Sequence, residues 1–286
     1  MEIKAYAKIN LGLDVLRRRE DGYHEVKMIM QTIGLHDVLN ITKSSEPGIR
    51  VITDSAELAQ EDEKNNLIYK TANLLFEEFD ITEGVEIRLT KNIPIAAGLA
   101  GGSTDAAATF KGINEIFKLG LSQEELMKRA VKIGADVPYC ILGGTAVSEG
   151  IGEILTSIAD CPKMHVLIAK PPVGVSTKYV YQNLKIEELM HPDIDAIIDG
   201  ISNGDIDKIT GNLGNVLETV TISLHPVIDD IKKAMIDNGA IASLMSGSGP
   251  TVFGLYDNED FLQKSAEVIK EAGIAKDVVI TAIHNI

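Results

Sequence analysis

The sequence predicts an α+β protein of two domains, on three observations. At ~100–200 residues per domain its 286 residues leave room for one large domain or two ordinary ones, and two is the better starting count. Segments of period-two alternation are interleaved with segments of helical spacing throughout the chain. A polar stretch, Ala159-Asp160-Cys161-Pro162, separates two such sets and sets the boundary near residue 160, giving domains 1–160 and 161–286.

The elements follow in order. Ile3 to Ile9 alternates small apolar and polar residues, the mark of a half-buried strand, and puts Lys4, Tyr6, Lys8 and Asn10 on one face. Beyond the turn-rich Arg17-Arg18-Arg19-Glu20-Asp21-Gly22, strands are expected around Val26 to Leu35 and Val38 to Thr42. A helix is expected from Leu67 to Phe79 with Asn66 as its cap, then a strand from Val85 to Thr90. A glycine-rich turn, Ile95 to Gly102, runs into an Ala-rich helix that starts at Ser103 or Thr104 and ends near Leu119. Ser122-Gln123-Glu124-Glu125 has the S-x-x-E form of a capping box, with Gly134 placed to close its helix. The second half opens with a strand over Lys163 to Ala169. Helices at Asp193 to Ile201, His225 to Asn238 and Asp260 to Ala272 then alternate with strands at Ala240 to Met245, Thr251 to Tyr256 and Val278 to Ile283.

Composition excludes several classes of function. The chain is 45% hydrophobic and 24% charged, which is neither disordered nor fibrous. With 27 Lys plus Arg against 42 Asp plus Glu, the net charge of −15 repels nucleic-acid backbones and anionic lipid, so neither nucleic acid nor membrane is expected as a partner. Two cysteines outside any C-x-x-C or Cys/His cluster rule out a disulfide framework. Met1-Glu2-Ile3-Lys4 lacks a signal-peptide layout, so a cytoplasmic protein beginning here is expected. The uncharged stretch Gly239 to Tyr256 is interrupted by Ser246-Gly247-Ser248-Gly249-Pro250-Thr251, and reads as strand, loop, strand rather than as a membrane span.

Gly98 to Ala107 is the strongest local motif. Glycines let backbone N–H groups approach a ligand, and a helix start directs orphan N–H groups and a positive dipole end to the same point, so phosphate is the natural occupant. The alternative is an ordinary turn with an N-capped helix. No Gly-Lys pair opens a Walker A, and no H-R-D, D-F-G, G-x-S-x-G or H-E-x-x-H is present. What remains is phosphate binding by an unusual glycine loop.

Three separated segments resemble the motifs of the GHMP small-molecule kinases in order and spacing: Ala5 to Leu11, Pro94 to Ala107, and Met245 to Thr251. Lys8-Ile9-Asn10-Leu11, Asp21-Gly22-Tyr23-His24-Glu25 and Gly134-Ala135-Asp136-Val137-Pro138 resemble the branch whose acceptor is a cytidine-diphosphate-linked methylerythritol, in non-mevalonate isoprenoid biosynthesis. The resemblance implies a two-domain GHMP-kinase-like fold with its active site in an interdomain cleft, using ATP and Mg²⁺. It implies Asp136 as the base and Lys8 as its cationic partner. Asn66, Lys91, Pro94, Gly98, Leu99, Ala100, Gly101, Gly102, Ser103 and Thr104 would hold the nucleotide, with Asp105 pointing away or reaching the metal through water. Asn10, Tyr23, His24, Tyr181, Gly247, Ser248 and Gly249 would hold the acceptor, Tyr181 being preferred over Tyr179 for stacking on cytosine, and Asn10, on the same strand face as Lys8, could instead fix the Lys8 side chain by a hydrogen bond. For each the bland reading is a cap, a solvated charge or a core ring. Two rivals stay open: a kinase for a small unlinked acceptor such as homoserine or mevalonate, which needs no aromatic base pocket, and a non-catalytic sugar or nucleotide sensor, which would not retain both Lys8 and Asp136.

Overall fold

The computed structural model describes residues 1–60 and 62–286. Contacts divide the chain into two interleaved units: Met1–Ala7, His36–Ile95 and Ala100–Leu142 form the first, and Lys8–Leu35, Ala96–Leu99 and Gly143–Ile286 the second.

In the first unit, the start of β1 (Glu2–Arg18) and the latter part of β2 (His24–Ser44) lead to β3 (Gly48–Thr53) and β4 (Gly84–Thr90). β4 lies between the other two, antiparallel to β2 with Ile41 opposite Ile87 and parallel to β3 with Val51 opposite Ile87. Leu39, Ile41, Val85, Ile87 and Leu89 are buried beneath α1 (Leu67–Glu78) and α2 (Gly101–Ile116). Ala106, Ala107 and Ala108 are buried in α2, where short side chains let the helix lie close to its neighbours. α3 (Gln123–Ala130) begins with both bonds of the expected capping box, and α4 (Val137–Leu142) follows it.

In the second unit, the early part of β2 pairs antiparallel with β5 (Thr145–Gly150), which also pairs with β6 (Ile154–Ser157). A four-stranded antiparallel sheet has the order β11-β7-β10-β9, from β7 (His165–Lys170), β9 (Ala242–Met245), β10 (Val252–Tyr256) and β11 (Asp277–Ala282). The short helices α5 (Thr177–Gln182), α7 (Ile206–Gly211) and α8 (Glu218–Leu224) complete the unit with α6 (Ile194–Asn203), α9 (Val227–Asp237) and α10 (Glu259–Ala272), and the two-residue strand β8 (Gly214–Asn215). α10 buries Leu262, Ser265, Ala266 and Ile269, the i, i+3, i+4, i+7 stripe of a helix lying on a sheet.

The strand expectations need two corrections. β1 runs to Arg18 rather than ending near Ile9, and the segments around Val26 to Leu35 and Val38 to Thr42 are one 21-residue strand. β2 is continuous because it changes partner along its length, pairing with β5 through Gln31 and with β4 from Val38. The expected strand, loop, strand at Gly239 to Tyr256 is present as β9, a turn and β10. Among the described residues no helix is long and apolar enough to cross a membrane. Neither cysteine forms a disulfide, and burial pushes the Cys161 thiol up to about 12, away from thiolate chemistry.

Candidate active site

In the second unit the three motifs converge on one backbone carbonyl. Lys8 Nζ donates to Gly98 O at 3.2 Å and to Asn10 Oδ1 at 2.8 Å, and Ser246 Oγ donates to Gly98 O at 3.0 Å. The Lys8 amide also donates to Leu99 O at 3.2 Å. Lys8 is 4% exposed and Asn10 fully buried, so the asparagine holds the ammonium from behind. Of the two roles expected for Asn10, fixing the lysine and binding acceptor, the first is the bond the structure makes. Gly98 has φ +74°, and a Cβ there would lie 2.3 Å from Ser246 O. Only glycine fits this close approach of two main chains.

The turn between β9 and β10 is held from several sides. Ser246 N donates to Thr251 O, and Gly249 N to Ser246 O. Asn215 Nδ2 donates to Met245 O at 2.8 Å and Gly247 O at 2.7 Å, while its Oδ1 accepts from Leu217 N. The hydroxyls of Ser248 and Thr177 share a hydrogen bond of 2.7 Å, and Ser248 O accepts from Thr221 Oγ1. Sequence reasoning missed Asn215, whose surroundings, Gly214-Asn215, read as an ordinary polar turn.

His24 and Tyr181 meet with ring centroids 5.2 Å apart and planes inclined by 42°. Tyr179 instead lines a separate groove with Asn183, Glu188 and Leu189. Tyr23 is exposed, in a turn where its amide donates to Asp21 Oδ1. Burial, seconded by the Arg18 charge, lowers the His24 pKa, so at neutral pH its imidazole keeps one donor and one acceptor nitrogen.

In the first unit, α2 starts at Gly101, not at Ser103 or Thr104 as the sequence suggested. Its N-cap is Ala100, in the left-handed conformation at φ 58°, with no side chain bonding the helix start. The first-turn N–H groups of Gly101, Gly102 and Ser103 are the orphans that an anion can accept from. The Thr104 amide already donates to Ala100 O, and its hydroxyl donates to Tyr6 O at 2.8 Å. Thr104 therefore anchors the helix to β1. Pro94, half-buried, precedes the loop, and Leu99 is buried within it. Asn66 caps α1, accepting from Ile68 N at 2.8 Å. Asp136 is half-buried in the turn before α4, where its carbonyl accepts from Cys140 N.

Lys91 is not a surface lysine. It bonds Asp37, and Asp105 Oδ2 at 2.9 Å, and all three side chains are at most 8% exposed. Burial pulls its pKa down, but the charges of Asp105 and Asp37 outweigh that and hold it above the ordinary lysine value. Asp105 points inward to Lys91, the first of the two orientations the sequence allowed. Burial pushes its carboxyl above the ordinary carboxylate range, with Lys91 pulling back and Asp37 pushing further.

Gly102 gives a clean test of the helix start. It is exposed, has no left-handed strain, and a Cβ would meet only Leu67 Cδ1 at 3.5 Å. If the helix start binds phosphate, Gly102→Val is expected to leave the melting temperature within a few degrees while weakening ATP binding by about tenfold, since the side chain would stand beside the first-turn N–H groups. A melting curve and a calorimetric titration on one sample check it; lost stability with unchanged affinity would mark an ordinary helix start.

Residues 66–144 match the family model described as the GHMP kinases N terminal domain, and residues 186–275 match the GHMP kinases C terminal model. The 4-diphosphocytidyl-2-C-methyl-D-erythritol kinases of Lachnospira eligens and Caldicellulosiruptor bescii are each 50% identical to this chain over 282 residues, 98% of this chain and 97% of theirs. A crystal structure of 4-(cytidine 5'-diphospho)-2C-methyl-D-erythritol kinase is similar with a TM-score of 0.85 and 31% identity over 100% of both chains. Homoserine kinase from Cytophaga hutchinsonii, 21% identical with a TM-score of 0.76 over 99% of this chain and 95% of its own, shares the fold. The chain belongs to the GHMP kinases and, within them, to the 4-diphosphocytidyl-2-C-methyl-D-erythritol kinases.

Proposed function

We propose that this chain transfers the γ-phosphoryl group of ATP to a hydroxyl of 4-diphosphocytidyl-2-C-methyl-D-erythritol, in non-mevalonate isoprenoid biosynthesis. The observation that carries the chemistry is the convergence of Lys8, Gly98 and the Ser246–Gly249 turn, which fixes a buried ammonium at a glycine junction. Phosphoryl transfer asks for positioning and charge neutralisation more than for covalent help. In the transfer, the acceptor O–H breaks as its oxygen bonds Pγ, the bond from Pγ to the β-phosphate bridging oxygen breaks, and ADP leaves. Asp136 takes the hydroxyl proton and Lys8 faces the charge that develops on the attacking oxygen. The uncapped start of α2 suits a triphosphate, offering N–H donors and no carboxylate, because Asp105 is turned away to Lys91. No group of three or more His, Cys, Asp or Glu gathers to hold a metal among the described residues. A nucleotide-borne Mg²⁺ would be held mainly by phosphate oxygens and water with at most one or two carboxylates, and would supply neutralisation of phosphate charge.

On the acceptor side, His24 reads the cytosine edge and Tyr23 and Tyr181 offer stacking faces, with Gly247, Ser248 and Gly249 near the transferred group. The contact of Tyr181 with His24 supports Tyr181 over Tyr179. A stacked base contributes ~1–3 kcal/mol by alanine substitution. Tyr181→Ala is therefore expected to raise the Kd for the cytidine-linked acceptor roughly ten- to a hundredfold, with ATP affinity unchanged. Calorimetry with each ligand checks it. A larger loss from Tyr179→Ala, with Tyr181→Ala silent, would move the base to the other groove.

A further inference from the structure

The buried triad of Asp37, Lys91 and Asp105 lies outside the chemistry just described, and it joins the two ends of the glycine loop. On the incoming side, Asp37 Oδ1 accepts from the amides of Asn92 at 2.6 Å and Ile93 at 2.7 Å, the residues that lead into Pro94. Asn92 Nδ2 also donates to His36 O at 2.9 Å. On the outgoing side, Asp105 belongs to the second turn of α2, directly after the glycines whose N–H groups open the helix. Lys91 Nζ connects the two carboxylates, and a Cβ on Gly101 would come within 3.0 Å of that nitrogen and 3.1 Å of Ile93 Cγ2. The second oxygen of Asp105, Oδ1, is buried with no hydrogen-bond partner. Such an oxygen costs stability, because a buried unpaired acceptor loses its hydration without a bond in return.

We infer that Asp37, Lys91 and Asp105 form a clamp across the base of the glycine loop, with Lys91 a positioning residue for the nucleotide-binding helix start rather than a ligand of the nucleotide. Each carboxylate takes one of the three ammonium donors, and Gly101 leaves room for that ammonium, which a Cβ there would approach to 3.0 Å. The clamp fixes where the N–H groups of Gly101, Gly102 and Ser103 stand relative to the incoming strand. This inference rests on the reading that those N–H groups bind nucleotide phosphate.

The test is a double-substitution cycle on ATP affinity, measured by calorimetry without acceptor, with steady-state KM values for both substrates alongside. Asp105→Ala is expected to weaken ATP binding by about tenfold, the order of a lost charge-assisted hydrogen bond, and to leave the acceptor KM in place. Asp105→Asn, whose amide oxygen still accepts from Lys91, recovers most of that loss. Lys91→Met with Asp105→Ala binds ATP no more weakly than the weaker single variant, because both remove one device. The inference is overturned if Asp105→Ala leaves ATP affinity unchanged or tighter while the Lys91→Met defect persists undiminished in the double variant, the pattern of a lysine that touches nucleotide directly. If Lys91→Met fails to fold for want of a partner to its two carboxylates, Asp105→Ala alone decides. Failure of the unmodified protein to bind ATP removes the phosphate-site reading and the clamp with it, and is seen before any substitution is made.

Discussion

Asp136→Asn is expected to lower kcat by roughly 10²–10⁴-fold, the usual contribution of a positioned general base. The amide keeps the size of the carboxylate and leaves the main-chain bond from Cys140 N to Asp136 O untouched. Affinity for ATP and for the acceptor should therefore survive, and the loss should fall on kcat rather than on KM, as it does for an interaction made only in the transition state. Steady-state rates at saturating concentrations of both substrates check this. Turnover close to that of the unmodified protein would reassign Asp136 to a structural role at the start of α4 and leave Lys8 as the residue to explain the chemistry.

Gly98→Ala is expected to cost nearly as much by a different route. At φ +74° a side chain is strained by about 1–2 kcal/mol. More severely, the new methyl would stand 2.3 Å from Ser246 O and 3.1 Å from Gly249 O, both backbone atoms that cannot swing aside. The junction must open, and Lys8 and Ser246 lose the carbonyl they share. Misplacement of catalytic groups by about 1 Å costs roughly 10²-fold, so kcat/KM should fall by that order. Melting temperature should fall by several degrees, at about 2–4 °C per kcal/mol for a domain of this size. A variant that keeps its rate while losing only stability would show that the junction packs the unit together without placing Lys8.

How much of this was legible in the sequence depends on how local the physics is. The capping box at Ser122 and Glu125 was legible because its partners are three residues apart and the bonds are made within one turn. The stripe of α10 and the β9 and β10 pair were legible for the same reason. The start of α2 was misread, because Ser103, Thr104 and Asp105 have the side chains of an N-cap, whereas the chain enters through Ala100 in a left-handed conformation that no propensity suggests for alanine. The length of β2 was hidden because its two parts satisfy different partners, β5 and β4, which the local pattern around Gly34 and His36 does not reveal.

The candidate site divides along the same line. Lys8 and Asn10 were placed on one strand face by the period of two, and their bond follows. That Lys91 is buried between Asp37 and Asp105 was not visible, since Asp37 is 54 residues away and sits in a His-Asp-Val run like any strand end. Asn215 lies 32 residues from Gly247, whose carbonyl it holds. Its side chain does its work through two backbone carbonyls, which leave no mark on the sequence around them.

The most direct measurement is ADP release from ATP and Mg²⁺ in the presence, separately, of 4-diphosphocytidyl-2-C-methyl-D-erythritol, mevalonate and homoserine. Acceptor-dependent ADP release with the cytidine-linked alcohol alone is the expected result, and it should be lost in Asp136→Asn. Release with mevalonate or homoserine but not with the cytidine-linked alcohol would contradict the account.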